Sequence, residues 1–118
     1  TYKNLLSGSE NLNKLMNFLK SKEFINKETS SADFKAVFSN SIIKNKIIWD
    51  TNISDLAYFI KCVHNKAKKV ENTKQKHWDI TINCFVIPKD KEPLNKSRLR
   101  QQKIPATRAS IETAVNLL

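Results

Sequence analysis

The feature that most restricts the fold of this chain is its near absence of glycine, since Gly8 is the only glycine among 118 residues. Tight two-residue hairpins depend on glycine for positive φ angles, so they are disfavoured here. Proline, which breaks helices, is confined to Pro88, Pro93 and Pro105. Helices can therefore run unbroken through the first three quarters of the chain, and the sequence predicts a mainly α-helical domain.

The lack of glycine also excludes two classes of nucleotide site. Walker-type loops and dinucleotide-binding loops need glycines where backbone amides approach phosphates closely. Neither a G-x-x-x-x-G-K nor a G-x-G-x-x-G pattern can be written on this sequence. A phosphate-cradling loop is therefore not part of this chain.

Length and apolar content predict one domain over residues 1–118. At 40% apolar residues, the chain can bury a core without disulfides or metal. It has no bilayer-length apolar run and no signal-peptide pattern, and its start at Thr1 suggests a domain excised from a soluble protein. Cys62 and Cys84 lie in apolar surroundings, as is typical of reduced, partly buried thiols. We therefore expect a cytoplasmic protein.

Apolar residues at helical spacing predict a helix over residues 9–22 and a brief one that starts at Ser30. They also predict a longer helix from Thr51 or Asn52 to Val70, a short one capped by Ser97 and a last one from about Pro105. Residues 42–49 are β-branched and aromatic, which predicts a short strand or an apolar link. Residues 71–77 are polar and predict a loop. Residues 78–85 fit either period, and their β-propensity favours a strand.

The longest predicted helix carries an apolar seam at alternating spacings of three and four, formed by Ile53, Leu56, Ile60, Val63, Ala67 and Val70. Such a seam occurs in coiled coils and in helices of a globular core. It covers little more than two heptads, and Phe59 widens the apolar face. The pattern therefore favours a core helix.

The charge of the chain is unevenly distributed. Of the net +10, residues 61–118 carry +8, from thirteen Lys and Arg against five Asp and Glu, and no acidic residue occurs in residues 93–111. A basic half of a compact domain indicates an anionic partner, and nucleic acid is the first hypothesis.

Two sets of residues are candidates for nucleic-acid binding. The first comprises Lys96, Arg98, Arg100, Gln101, Gln102, Lys103 and Arg108, and the second comprises Lys66, Lys68, Lys69, Lys74 and Lys76. On a short helix, Lys96, Arg100 and Lys103 would share one face, with Leu99 turned to the core. Gln101 and Gln102 would contact base edges, and Arg98 and Arg108 would clamp the DNA backbone. The lysines of the second set would contact phosphates. The alternative is that these charges stabilise helix ends and maintain solubility.

Signals for catalysis or metal binding are weak. A zinc site would need Cys62, His64, His77 and Cys84 to converge, but their spacing matches no structural zinc pattern. The carboxylates are scattered, so paired acid and base chemistry lacks its cluster. Trp49 and Trp78 are read as core anchors. We expect no catalytic residue, no metal ligand and no cofactor.

Several short motifs occur in an order found in one family. They are DFKAVF at residues 33–38, IIW at 47–49, LAYFIK at 56–61, WDIT at 78–81, Phe85, and SRLR at 97–100. In these the chain resembles the C-terminal part of RteC-like regulators, which are associated with Bacteroides conjugative transposons. The resemblance covers residues 30–118 and leaves residues 1–29 as an unassigned helical lead-in. It implies a helix-turn-helix or winged-helix-like domain, with at most a short strand pair, in a bacterial transcriptional regulator of a mobile element.

Three functions remain open on the sequence. The first is a non-catalytic domain that binds double-stranded DNA through its basic C-terminal surface. The second is a helical module that docks an acidic partner protein or pairs with another copy through the long helix. The third is a small nuclease or integrase accessory domain, for which the chain shows no carboxylate cluster.

Overall fold

The computed structural model describes residues 2, 8–39, 42–66 and 76–118, and gives the side chains of all of these except residues 65 and 66. In chain order these form α1 (Ser9–Ser21), α2 (Ser31–Val37), β1 (Ile47–Ile48), α3 (Ile53–Lys61), a π-helical turn (Cys62–Lys66), α4 (His77–Cys84), β2 (Phe85–Val86), α5 (Lys96–Arg100) and α6 (Arg108–Val115). The prediction of a mainly α-helical fold with a short strand pair is confirmed.

Two helix starts follow directly from capping residues. The Ser30 hydroxyl accepts a hydrogen bond from the Asp33 backbone N–H at 3.0 Å, and α2 begins at the next residue. The Asn52 side chain does the same for the N–H of Asp55 at 2.9 Å at the start of α3. Each cap satisfies a backbone donor that has no partner within its own helix. Both starts confirm the sequence prediction.

The predicted details of α5 are wrong in two respects. The cap is Asn95 and not Ser97, because the Asn95 side chain accepts from the Arg98 N–H at 2.9 Å. The helix ends at Arg100, so Lys103 lies three residues beyond it and cannot belong to its face. Leu99 is fully buried, as predicted.

The last helix begins at Arg108, three residues after the predicted start at Pro105. The intervening residues form a turn in which the Arg108 N–H donates to the Pro105 carbonyl at 3.2 Å. The predicted apolar stripe is confirmed by the burial of Ile111, Ala114, Val115 and Leu118.

The end of α1 shows the cost of having so little glycine. The Phe24 N–H donates to the Leu19 carbonyl and the Glu23 N–H to the Lys20 carbonyl, which is the Schellman pattern of helix termination. That pattern needs a left-handed residue, and Glu23 supplies it with φ of 62°. Glycine takes this conformation without penalty, whereas a residue with a Cβ is strained there.

The core is organised around Trp49, which is completely buried. Its indole lies 5.7 Å from the ring of Phe24, 5.6 Å from that of Phe59 and 6.0 Å from that of Phe85, measured between ring centres. The indole N–H donates to the Asn52 carbonyl at 3.1 Å, so its one polar group is satisfied. The prediction that Trp49 is a core anchor is therefore confirmed, and Trp78 is likewise buried.

The short strands complete this core. β1 pairs in parallel with β2, with Ile47 opposite Phe85, and Ile25 forms an isolated antiparallel bridge to Trp49 on the other side. Parallel neighbours require a long crossover, and α3 and α4 lie in the segment between these strands. Residues 47–49 thus hold together the N-terminal and C-terminal parts of the chain.

The strand favoured for residues 78–85 is wrong over most of its length, because residues 77–84 form α4 and only Phe85 continues into β2. The buried face of α4 consists of Trp78, Thr81 and Cys84. Thr81 is polar, so it did not count towards a helical stripe. Its hydroxyl donates to the His77 carbonyl at 2.8 Å and also pairs with the buried Tyr2 hydroxyl, which lies 79 residues away in sequence.

The central helix is α3, which packs against both α5 and α6. The seam positions Ile53, Leu56, Ile60 and Val63 are all buried in the domain, which confirms the core-helix interpretation for that part of the seam. Ala67, Val70 and residues 71–75 of the loop predicted over 71–77 lie outside the described residues. Lys76 lies in a turn, as predicted, whereas His77 already belongs to α4. No helix in the described ranges is long and apolar enough to span a bilayer.

We expect Glu23→Gly to raise the free energy of unfolding by about 0.5 to 1 kcal/mol, because relief of the left-handed strain exceeds the extra chain entropy of glycine. Urea denaturation measures the change. Glu23→Ala is the control, since it removes the carboxylate but keeps the Cβ, and a similar gain in that variant would contradict the strain argument.

We expect Leu56→Ala to lower the free energy of unfolding by about 2 to 5 kcal/mol, because it leaves a cavity against the central helix. Ile42→Ala removes an exposed side chain and should change stability by less than about 0.5 kcal/mol. Equal effects in the two variants in urea denaturation would show that α3 is not the core helix.

Candidate nucleic-acid interface

The first set of predicted binding residues lies in one stretch, residues 96–108, which we call the basic segment. It comprises α5, the connecting loop of residues 101–107, and the first residue of α6. Leu99 is fully buried and both flanking helices pack against α3. The core helix therefore positions the segment from beneath.

Gln102 fixes the first part of the connecting loop. Its side-chain carbonyl accepts from the Ser54 hydroxyl at 2.5 Å, and its amide nitrogen donates to the Arg98 carbonyl at 3.0 Å. The Lys61 ammonium donates to the Gln102 backbone carbonyl at 3.3 Å. Since its side chain is occupied at both ends, Gln102 acts here as an internal anchor, and base reading would require it to leave these partners.

Thr107 fixes the other end of the loop. Its hydroxyl donates to a carboxylate oxygen of Asp55 at 2.6 Å. Asp55 lies in the first turn of α3 and is buried, so the bond from the Thr107 hydroxyl gives its carboxylate a donor inside the protein. Both ends of the connecting loop are thus hydrogen-bonded to the central helix, so the residues between them are held on a rigid support.

Arg98 points away from this loop and into the proline-flanked turn of residues 88–93. One terminal nitrogen donates to the carbonyls of Glu92 and Pro93, each at 3.1 Å, and the other donates to the Asp90 carboxylate at 2.8 Å. This hydrogen bond from Arg98 is the main reason that the pKa of Asp90 lies below its ordinary value. Arg98 therefore holds the turn closed, and a phosphate would have to compete with these contacts.

Two further cations of the set have acidic neighbours. Lys96 lies 3.3 Å from the carboxylate of Asp79 in α4, and Arg108 lies 3.4 Å from that of Glu112 in α6, and both pairs are about half exposed. Exposed ion pairs contribute roughly 0 to 1 kcal/mol, so these cations can exchange a carboxylate for a phosphate at little cost. The acid-free stretch of the sequence is therefore not an acid-free surface.

Arg100 and Lys103 differ from the other cations of the set because they have no acidic neighbour among the described residues. Both are exposed, and neither side chain has a hydrogen bond or an ion pair with any residue in the described part of the chain. Gln101 lies between them and is also exposed, with its amide nitrogen donating to the Ser97 hydroxyl at 3.1 Å. Residues 100–103 thus present two unpaired cations next to a group able to contact a base edge.

The second predicted set is only partly described. Lys76 is exposed immediately before α4. Lys68, Lys69 and Lys74 lie outside the described residues, as does the side chain of Lys66. A role for this set in phosphate binding stays a prediction.

Sequence reasoning missed the residues that support the loop. Ser54, Asp55 and Lys61 all lie on α3 and face the connecting loop, yet no local pattern shows their partners. Ile104 was also missed. It is 57% exposed between Lys103 and Pro105, and the only signal in the sequence is an apolar residue within a basic stretch.

Cys62, Cys84 and His64 are buried, and His77 is half-buried. The rings of His64 and His77 stack at 4.5 Å between centres, and burial raises the pKa of Cys84 to about 11, so its thiol stays protonated at neutral pH. Among the described residues, no group of three or more potential ligands lies close enough to hold a metal ion. Both cysteines are buried and neither forms a disulfide, as the sequence predicted.

No known protein family, no curated protein and no solved structure matches this chain. The resemblance to RteC-like regulators therefore stays a prediction. The functional argument depends on the geometry of the basic segment.

We expect Arg98→Ala to lower the free energy of unfolding by about 1 to 2 kcal/mol, from loss of the hydrogen bonds to the two turn carbonyls. Arg100→Ala is the matched control and should change stability by less than about 0.5 kcal/mol, because its side chain is exposed and has no partner among the described residues.

The stability difference between wild type and Arg98→Ala should also depend on pH. Because the pKa of Asp90 is lowered in the folded state, its bond with Arg98 stabilises the fold at neutral pH and is lost as the carboxyl protonates. The stability difference should shrink below about pH 4, and a pH-independent difference would contradict this role.

Proposed function

We propose that this domain binds double-stranded DNA through the basic segment and performs no chemistry itself. The observation that carries the proposal is the pair Arg100 and Lys103, which are exposed and have no side-chain partner among the described residues. Arg100 ends α5, and Lys103 lies in a loop that is anchored to the core. Because the loop backbone is already fixed to the core, phosphate binding has to order the two side chains but not the loop that carries them. They therefore bind an anionic backbone better than the same residues on a mobile tail.

Cations near this pair add to the same surface. Lys96 and Arg108 are held only by exposed ion pairs, so phosphates can displace their carboxylate partners. With Lys76 as a fifth cation, contacts to about five phosphates would make the logarithm of the binding constant fall with a slope of about −4.5 against the logarithm of salt. Affinity would then drop about 500-fold between 50 and 200 mM salt.

Contact to base edges is assigned to Gln101, which is exposed next to Arg100 at the end of α5, the helix that α3 supports. Glutamine can pair with adenine in the major groove and can also contact base edges in the minor groove. Arg100 and Lys103 are assigned to phosphates. We assign α5, the connecting loop and α6 to a helix-turn-helix-like surface, and the parent protein to the bacterial transcriptional regulators of mobile elements that the motifs resemble.

The competing protein-interaction function predicts a different response. Self-association through the long helix would require the apolar face of α3 to be available, but in the described chain it is buried in the core. Docking of an acidic protein would use the same cations, but it would not follow the dependence on salt and duplex length that counterion release from DNA produces.

We expect Arg100→Ala with Lys103→Ala to weaken duplex binding at least tenfold in 50 mM salt and to reduce the salt slope by about 2. The measurement is fluorescence anisotropy of a labelled random duplex, titrated at several salt concentrations, with single-stranded DNA and heparin as competitors.

The matched control is Lys27→Ala with Lys44→Ala, which removes the same two charges from exposed loops outside the basic segment. It should change affinity only slightly. If the two double variants bind equally well, the surface is assigned wrongly. If the wild-type domain does not bind duplex at 50 mM salt, the DNA-binding proposal fails.

A further inference from the structure

Ile104 is the apolar residue of the basic segment that stands out. It is 57% exposed, and it lies in the connecting loop directly after Lys103 and before Pro105. Single exposed apolar residues are common on proteins, so its exposure alone indicates no function. Ile104 differs from a typical exposed apolar residue because its loop is anchored to the core and because Arg100 and Lys103 lie next to it in sequence.

The loop that carries Ile104 is tied to the core on both sides. On one side Gln102 is fixed by hydrogen bonds to Ser54, Arg98 and Lys61, and on the other Thr107 is fixed to Asp55. Pro105 restricts φ at the position that follows Ile104, and β-branching restricts the side chain itself. A stiff apolar side chain is thereby displayed on a stiff loop.

Its neighbours are the unpaired cations Arg100 and Lys103. All three residues lie within five consecutive positions, so their Cα atoms are at most about 14 Å apart. Extended arginine and lysine side chains from this distance can reach phosphates on both sides of one minor groove, which is about 6 Å wide. The apolar side chain would then lie at the base steps between those phosphates.

We propose that Ile104 inserts between two base pairs from the minor groove and kinks the duplex. Proteins that kink DNA in this way place an aliphatic side chain against a base step while nearby cations hold the backbone, which is the combination in this loop. The inference rests on the proposed DNA-binding function and deepens it, because it assigns a deformation of the duplex to one residue. It also predicts a preference for flexible steps such as TA.

The chemistry of the segment favours DNA over a membrane. A single myristoyl chain, with far more carbon atoms than an isoleucine side chain, gives only marginal membrane binding. One isoleucine on a rigid loop would therefore anchor the domain very weakly to lipid. A base step, in contrast, accommodates one aliphatic side chain.

The test uses a short duplex with central TA steps that carry 2-aminopurine, whose fluorescence rises when it is unstacked, and a second duplex with a dye pair at its ends to measure bending. Ile104→Ala is compared with the wild-type domain and with Ile42→Ala. The control is matched because Ile42 is 91% exposed and lies outside the basic segment.

We expect the wild-type domain and Ile42→Ala to raise the 2-aminopurine signal and shorten the end-to-end distance equally. Ile104→Ala should lose most of both changes and bind about three- to tenfold more weakly, with an unchanged salt slope, because the phosphate contacts remain. Steep salt-dependent binding with identical signals in all three proteins would overturn the insertion of Ile104 and leave DNA binding intact. Absence of duplex binding at 50 mM salt would overturn both. If Ile104→Ala loses binding to phosphatidylglycerol vesicles while its duplex signals are unchanged, Ile104 contacts lipid and its insertion into DNA is overturned.

Discussion

The burial of Trp49 is the interaction on which the rest of this structure depends. Its indole contacts aromatic rings from three separate parts of the chain, and its N–H donates to the carbonyl of Asn52. Asn52 is also the residue that caps α3, so the tryptophan fixes where the central helix begins. The Trp49 backbone N–H donates to Val86 at 2.8 Å, which joins it to β2 as well. One large side chain therefore sets the position of the helix that supports the candidate site.

Polar side chains of the central helix α3 fix the position of the connecting loop on the surface. Ser54, Asp55 and Lys61 lie on α3, which is otherwise almost entirely apolar, and each makes a hydrogen bond to the connecting loop. Asp55 is buried, and an unsatisfied buried carboxylate is costly, so its bond with Thr107 favours one arrangement of the loop. The geometry of the exposed cations is consequently a property of the core and not of the loop alone.

The sequence predicted those features that local physics determines and missed those that depend on distant partners. The start of α3 at Asn52 was predictable because a cap and the helix it begins are adjacent. α4 was favoured as a strand because Trp78, Ile80 and Ile82 alternate and have high β-propensity. Its buried helical face instead includes the polar Thr81, whose hydroxyl pairs with Tyr2 at the other end of the chain. Arg98 was assigned to DNA because its carboxylate partner, Asp90, comes from a turn that only the fold brings close.

The same distinction applies to charge. Counting along the sequence gives an uninterrupted basic stretch, whereas folding brings Asp79 of α4 within 3.3 Å of Lys96. Glu112, one helical turn after Arg108, lies 3.4 Å from it just beyond that stretch. Net charge sets how strongly the domain attracts an anion at a distance, but contact energy depends on which cations are unpaired and fixed in place. Among the described residues of the basic segment, Arg100 and Lys103 meet the first condition, and the anchored loop between Gln102 and Thr107 meets the second. A surface built in this way favours some orientations of its ligand, because the fixed backbone limits the distance between the two cations and therefore the phosphates that they can contact together.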